Sequence, residues 1–372
     1  MTETANKGLE GIVALTSSVS SIVDGVLTYG GYNIDDLTDN TSFEEVVYLL
    51  IHGDLPNQSQ LDTLKKQLDE ERALPEAALK AFKDFPKKAL PMEKLRTAVS
   101  LLGMYDAESN ETSPESNYRK AVRLIAQTPT IIAAQERLRH GQAPVAPKPG
   151  MTTAESFLYM MHDKTPDQVA VDALDKALIL HADHELNAST FAARQTASTL
   201  SDMYSAITSA IGTLKGPLHG GANEQVMRTL LAIGTVDNVD SYLDAALERK
   251  ERIMGFGHRV YKDGDPRAKH LKAMSKALGE LNGDTKWYDM SVKLNDLMVD
   301  KKGLKPNVDF YSASAYYALG IPLDLYTPIF AMSRVSGWCA HVLEQLANNR
   351  LIRPRAEYIG ETHRSVKPIA QR

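Results

Sequence analysis

Four of the ten histidines fall between His181 and His258, three of them in Gly-flanked or acid-flanked settings that a plain core position would not need. The run Lys215-Gly216-Pro217-Leu218-His219-Gly220-Gly221 puts His219 in a turn ahead of a new helical pattern (Val226, Leu230, Leu231). Free amides and the positive end of that helix disfavour a second proton, leaving a neutral imidazole that can donate a hydrogen bond to a developing oxyanion. The plainer reading is a histidine that fills the turn.

A second block runs from Gly255-Phe256-Gly257-His258 through Arg259, Tyr261 and Lys262 to Asp265-Pro266-Arg267. Asp265-Pro266 predicts a helix start, with Asp as the N-cap and Pro at the first helical position. Arg267 then falls in the first turn, where a guanidinium fork and a helix terminus can hold a carboxylate. The Gly-x-Gly with basic neighbours can present amides and charge to phosphates, although a charge run is more often a solvated face. In Pro306-Asn307-Val308-Asp309, Asn307 predicts a cap for a helix through Leu319 and sets Asp309 near its first turn. An aspartate there usually complements the helix dipole; it becomes a base only when a substrate proton is in reach.

Arg334 lies among Ile329, Ser333, Ser336, Gly337 and Ala340, neighbours that predict burial. A buried arginine must be paired or meet an anion. If its helix runs on to Asn349, Arg353 is more than ~20 Å away at the helical rise. One small substrate could then meet both only if Arg353 came from a second subunit.

The elements that must position these residues read as mostly helical. Leu9 to Tyr32, rich in Val, Ile, Thr, Ser and Gly, predicts short strands or turns. Ser42 and Glu45 form a capping-box pattern, and Val171, Leu174, Leu178 and His181 keep helical spacing. A single helix is expected over Thr190–Leu214, with small residues suited to a tight helix pair or a subunit interface. Loops are expected at Tyr105–Ser116, Gly141–Gly150 and Leu281–Thr285. Gly216-Pro217 ends a helix and marks a domain boundary.

The chain of 372 residues exceeds the roughly 250–300 at which single cores split, so two domains are expected. A net charge of −5 argues against a general nucleic-acid binder. The charge is uneven: Arg249 to Lys272 holds eight basic and three acidic residues, and is +5 within an otherwise −10 chain. No run approaches the ~18 apolar residues of a membrane span. The start lacks the basic and apolar regions of a secretory leader, and a single cysteine, Cys339, fits a reducing cytoplasm.

Together these blocks resemble the citrate synthase family. Leu180-His181-Ala182-Asp183-His184-Glu185 with Asn187, the His219 turn, His258 to Arg267, Pro306 to Ala313 and Ser333-Arg334 match the family pattern in order and spacing. The likeness runs from Gly8-Leu9-Glu10-Gly11 to Arg353-Pro354-Arg355, and is nearest to the short enzymes of Gram-positive bacteria. It implies a mostly α homodimer, with residues 1–218 and 324–372 as a large domain and 219–323 as an inserted small domain that closes over the substrates. Short β elements lie at its N-terminus.

By the same resemblance, Asp309 takes a methyl proton from acetyl-CoA, His219 hydrogen-bonds the thioester oxygen, and His258 polarises and protonates the carbonyl of oxaloacetate. His184, Arg267 and Arg334 hold oxaloacetate, with Arg353 from the partner chain. Met254, Gly255, Phe256, Gly257, Arg259 and Lys262 are candidates for CoA. No metal or cofactor is implied, since acetyl-CoA is a substrate, and assembly beyond the dimer stays open. Propionyl-CoA, giving 2-methylcitrate, is the neighbouring alternative. More remote are a metal-dependent phosphohydrolase built on His162-Asp163 and His181 to His184, and a non-catalytic CoA-binding module.

Overall fold

The computed structural model describes residues 7–9, 11–258, 261 and 263–372. The expected N-terminal strands are β1 (Ser20–Val23), β2 (Val26–Tyr29) and β3 (Tyr32–Asn33), an antiparallel meander with Ser20 opposite Tyr29 and Tyr29 opposite Tyr32. Its function is positional: buried Tyr29 reaches across the molecule and its hydroxyl donates to the carbonyls of Ile179 (3.1 Å) and Asp183 (3.0 Å).

Helices follow: α1 (Ile34–Asn40), α2 (Phe43–His52), α3 (Gln58–Glu71), α4 (Glu76–Lys83), α5 (Pro91–Tyr105), α6 (Pro114–Arg139), α7 (Thr153–His162) and α8 (Gln168–His181). The capping box at Ser42 and Glu45 is formed. The segment expected as one helix is two, α9 (Ala188–Ser198) and α10 (Met203–Leu214). Leu200 turns into the left-handed region (φ 65°) and Asp202 starts α10 by accepting from the Ser205 amide at 2.9 Å. A local cap overrode the continuous small-residue pattern. Those small residues do let α9 and α10 pack closely on each other.

After the Gly216-Pro217 break come α11 (Ala222–Ile233), α12 (Val239–Glu248), α13 (Ala268–Asn282), α14 (Lys286–Lys302), α15 (Val308–Ala318) and α16 (Tyr326–Ala347). Asp265 caps the turn at Pro266 and Arg267, its Oδ1 accepting from the Arg267 amide and its carbonyl from the Ala268 amide, both at 3.1 Å, and helix α13 is regular from Ala268, two residues later than expected. On α11 the buried stripe is Val226, Met227, Leu230 and Ile233, and Leu231 faces outward. Helices α11 to α15 pack mainly on one another, whereas buried α16 is the axle against which α2, α5, α6, α8, α9 and α10 pack. Among the described residues no helix is long and apolar enough to cross a membrane.

Two acids meet where α2 approaches α8. The Phe43 amide donates to Asp175 (3.1 Å to Oδ2), while buried Glu44 accepts from the Thr153 amide at 2.7 Å and leaves Oε2 without a partner. Burial, with the charge of Glu44, holds the Asp175 carboxyl well above the usual range. A carboxyl raised in the folded state keeps its proton where the unfolded chain has released it, so stability declines as pH rises through that window. Asp175→Asn keeps an acceptor for Phe43. Its Tm is expected to exceed the wild type's by more at pH 8 than at pH 5, and a pH-independent difference would refute the shared-burial account.

Candidate active site

His219 lies in the turn before α11, as expected, and Gly220 beside it has no room for a side chain, since a Cβ would sit 2.6 Å from the Leu214 carbonyl. Across the turn, the Ser189 amide at the start of α9 donates to His219 Nε2 (3.3 Å), and Ser189 Oγ is 2.8 Å from the same nitrogen. Trp338 Nε1 on α16 donates to that hydroxyl at 3.1 Å, fixing it. A backbone amide can only donate, so Nε2 is an acceptor and the proton of the neutral ring is on Nδ1. Burial, then the charge of Arg334, push the ring's pKa down to about 4. The neutrality expected from the helix terminus is therefore produced by burial and a tertiary neighbour.

The Gly-x-Gly block is bound to the entry of α15. Gly255 takes φ 86° and presses on Val226 and Phe310, where a Cβ would lie 2.7 and 2.9 Å from side-chain atoms. Its carbonyl accepts from the Asn307 amide (2.9 Å), and Gly257 donates its amide to Lys305 and accepts from Asn307 Nδ2, both at 2.9 Å. The Gly257 amide is thus already committed, and Phe256 turns its ring inward against Phe310. Met254 is half-buried beside them. Arg259 and Lys262 lie outside the described residues.

This clasp holds His258 in place. The Tyr261 amide donates to His258 Nδ1 at 3.3 Å, so Nε2 carries the proton, and burial lowers the ring's pKa. The rings of His258 and His184 are 5.3 Å apart. His184 Nε2 lies 3.0 Å from the Tyr261 hydroxyl. Burial, then Arg267 and Arg334, hold His184 well below the usual imidazole range.

Asn307 caps α15 by accepting from the Asp309 amide at 3.0 Å, which leaves the Asp309 carboxylate in the first turn with no hydrogen bond among the described residues. Burial raises it to about 7, although Arg267 and Arg334 pull the other way. Arg267 is buried and forms a two-point pair with buried Asp265, at 2.9 and 2.8 Å. Asp265 also accepts from the Val308 amide (3.1 Å), tying the start of α13 to that of α15. Arg334, only 1% exposed, is less well matched. Its Nε donates to the His181 carbonyl at 2.7 Å and its guanidinium lies over Phe330, but among the described residues no carboxylate is bonded to it. Burial lowers even this guanidinium to about 10.

The structure therefore gathers His184, His219, His258, Arg267, Asp309 and Arg334 around two buried arginine heads. Arg353 is not among them; it is exposed on the extended segment after α16. Tyr261 and Ser189 escaped the sequence reading because their partners are 77 and 30 residues away. The His181, Asp183 and His184 side chains do not converge: His181 bonds the Ala177 carbonyl, Asp183 bonds Ser20 and His341, and His184 meets Tyr261.

Against known proteins, the family described as citrate synthase, C-terminal domain, matches residues 8–355. The chain belongs to the citrate synthase family. It is thereby an enzyme of the acyltransferase class. Citrate synthase 2 of Bacillus subtilis is 59% identical over 370 residues, covering 99% of this chain and 100% of the relative. 2-Methylcitrate synthase 2 of Corynebacterium glutamicum is 44% identical over 378 residues, covering 100% and 99%. A solved structure of the Thermoplasma acidophilum citrate synthase, a ternary complex with carboxymethyl coenzyme A and oxaloacetate, superposes with a TM-score of 0.93 at 36% identity over 100% of both chains. The expected mostly helical citrate synthase fold is therefore the one adopted.

Proposed function

We propose that this enzyme condenses acetyl-CoA with oxaloacetate and hydrolyses the resulting citryl-CoA to citrate and CoA. The observation that carries this reading is the placing of the uncompensated Asp309 carboxylate and the Nδ1–H of a neutral His219 around two buried arginines. A thioester methyl is a very weak carbon acid, so a carboxylate can remove its proton only if the charge arriving on oxygen meets a preorganised donor. Asp309 takes the proton and His219 Nδ1–H bonds the thioester oxygen as the enolate forms. The enolate carbon then attacks the oxaloacetate carbonyl, whose oxygen accepts a hydrogen bond from His258 Nε2–H. Binding a dianion beside His258 raises the ring's proton affinity, so the ring takes up a proton from solvent; the resulting imidazolium gives its Nε2 proton to the alkoxide and returns to the neutral form. Water then cleaves the thioester, releasing CoA.

Arg334, whose terminal nitrogens face no carboxylate among the described residues, suits one carboxylate of oxaloacetate at two points; Arg267, its Nε and Nη2 held by Asp265, offers its remaining Nη1 to the other, and neutral His184 adds a hydrogen bond. Met254 to Gly257, with Arg259 and Lys262, are assigned to CoA. Helices α11 to α15 form the small domain, residues 219–323, which closes on the large one in a cytoplasmic enzyme. Tyr358, Ile359, Val366 and Ile369 stand 72–93% exposed on the extended C-terminal segment, a pattern that calls for a covering partner. We assign that partner to a second copy, which receives Arg353 in its site. Mixing Arg353→Ala chains with Asp309→Ala chains, each inactive alone, is then expected to restore partial activity. Proven heterodimers without recovery would reject the shared site.

Propionyl-CoA is the second reading, favoured by the Corynebacterium relative. One methylene changes binding by only ~1–3 kcal/mol. The deciding assay follows CoA release with each thioester: a higher kcat/KM for acetyl-CoA is expected, and a clear preference for propionyl-CoA would reassign the substrate.

A further inference from the structure

His184 is held from both sides by a single hydroxyl. Ser20, on β1 and more than 160 residues away in the chain, donates through Oγ to Asp183 Oδ2 and accepts the Glu185 amide at 2.9 Å. The Asp183 backbone is pinned as well, its carbonyl accepting from Tyr29 Oη at 3.0 Å and its amide donating to the same oxygen at 3.3 Å. Glu185 takes φ 54°, a left-handed conformation that a non-glycine residue keeps only where its surroundings impose it. The strain is placed at the residue that directly follows His184.

Behind Asp183 the network runs through buried His341 and Arg194 to partly exposed Glu344. His341 Nε2 on α16 donates to Asp183 Oδ2 at 3.0 Å, and both side chains have no exposed surface. His341 Nδ1 accepts from Arg194 at 3.2 Å, which sets the tautomer, and Arg194 in turn pairs with Glu344. Asp183 Oδ1 has no hydrogen-bond partner among the described residues, and α16 comes so close that a Cβ on Gly337 would lie 2.5 Å from it. A buried carboxylate with one idle oxygen is a poor way to gain stability, because well-packed apolar groups of the same volume often do as well or better. What this arrangement does supply is a fixed geometry for the backbone that carries His184.

We propose that Ser20 and Asp183, backed by His341, are positioning residues that set His184 and thereby the affinity of the site for its dicarboxylate. This rests on the reading of His184 as an oxaloacetate ligand. The three residues touch no substrate; they act by excluding other backbone conformations at 183–185. Distances of this kind matter in a site that must hold groups within ~0.5 Å of a productive geometry.

The test compares wild type, Ser20→Ala and Ser20→Thr by steady-state kinetics, by calorimetric titration with oxaloacetate alone, and by thermal melting. Ser20→Ala, which removes both hydrogen bonds of the hydroxyl, the one to the Asp183 carboxylate and the one from the Glu185 amide, is expected to raise both KM and Kd for oxaloacetate about tenfold. KM for acetyl-CoA should stay within about twofold, and Ser20→Thr, which keeps the hydroxyl, should recover most of the affinity. An unchanged oxaloacetate Kd in Ser20→Ala overturns the proposal, as does an equal rise in both KM values accompanied by a large fall in Tm. A second measurement needs no variant: in wild-type enzyme labelled with 15N-histidine, the His341 Nε2–H resonance is expected to shift when oxaloacetate binds, and an immobile resonance counts against the coupling. A wild type that turns over acetyl-CoA with oxaloacetate while Ser20→Ala is indistinguishable from it removes this inference alone. Failure of the wild type to bind oxaloacetate removes the underlying assignment too.

Discussion

Asp309→Asn is expected to lower kcat by about 10²–10⁴-fold, the usual contribution of a positioned base, while KM for oxaloacetate stays within about twofold. The amide keeps the shape of the side chain and the cap from Asn307, but it cannot take a proton. The wild-type carboxyl lies near pH 7 because burial raises it more than Arg267 and Arg334 lower it, which brings its basicity closer to what a weak carbon acid requires. Below that value the base is protonated in the free enzyme, so kcat/KM for acetyl-CoA should fall as pH drops from 8 to 6. The residual rate of Asp309→Asn should lack that limb. Stability should move the other way. A carboxyl raised in the folded state destabilises once the unfolded form ionises, so removing it should raise Tm at pH 8, by roughly 1–2 °C for each kcal/mol regained, and by less at pH 5. Near-normal turnover in Asp309→Asn would end the base assignment; a pH limb that survived would move the titration to another group.

The second large effect is expected on binding. Arg334→Met should raise KM for oxaloacetate by about 10²–10³-fold, the loss that follows when one member of a buried charge pair is truncated, roughly 2–5 kcal/mol. Arg334 is buried on α16, tethered through Nε to His181 and stacked on Phe330, so its two terminal nitrogens are aimed before any substrate arrives. Arg334→Lys should recover little, because a point charge cannot reproduce two parallel bonds to a carboxylate. Without substrate the same residue is a liability: burial depresses its pKa to about 10, so the folded state penalises its charge at every pH below that. Arg334→Met should therefore melt at least as high as wild type. An unaltered oxaloacetate KM in that variant would show that the dianion is held elsewhere.

These expectations differ in how far they could be read from sequence. The cap of Asp309 by Asn307 and the box at Ser42 and Glu45 are local, set by hydrogen bonds that span two or three residues, so residue type and spacing are enough. The helical stripe ending at His181 is equally local. Where local signals were ambiguous, the helix bounds shifted by about a turn: Asp202 interrupts the helix expected over Thr190–Leu214, and α13 becomes regular two residues after the cap at Asp265. The block order that resembles citrate synthase singled out the residues proposed to react, because family patterns carry the outcome of folding without its cause.

The cause is tertiary. His219 stays neutral chiefly through burial and Arg334, and its proton is placed on Nδ1 by an amide from α9. His184 meets the Tyr261 hydroxyl and is braced by Ser20, contacts whose partners are far away in the chain. Residue types and short-range spacing determined the helices, their caps and the inventory of acids, bases and arginines, since each depends on neighbours within a turn. Which proton each group holds, and which buried arginine meets no carboxylate among the described residues, was decided only by packing, because desolvation and charge act through space rather than along the chain.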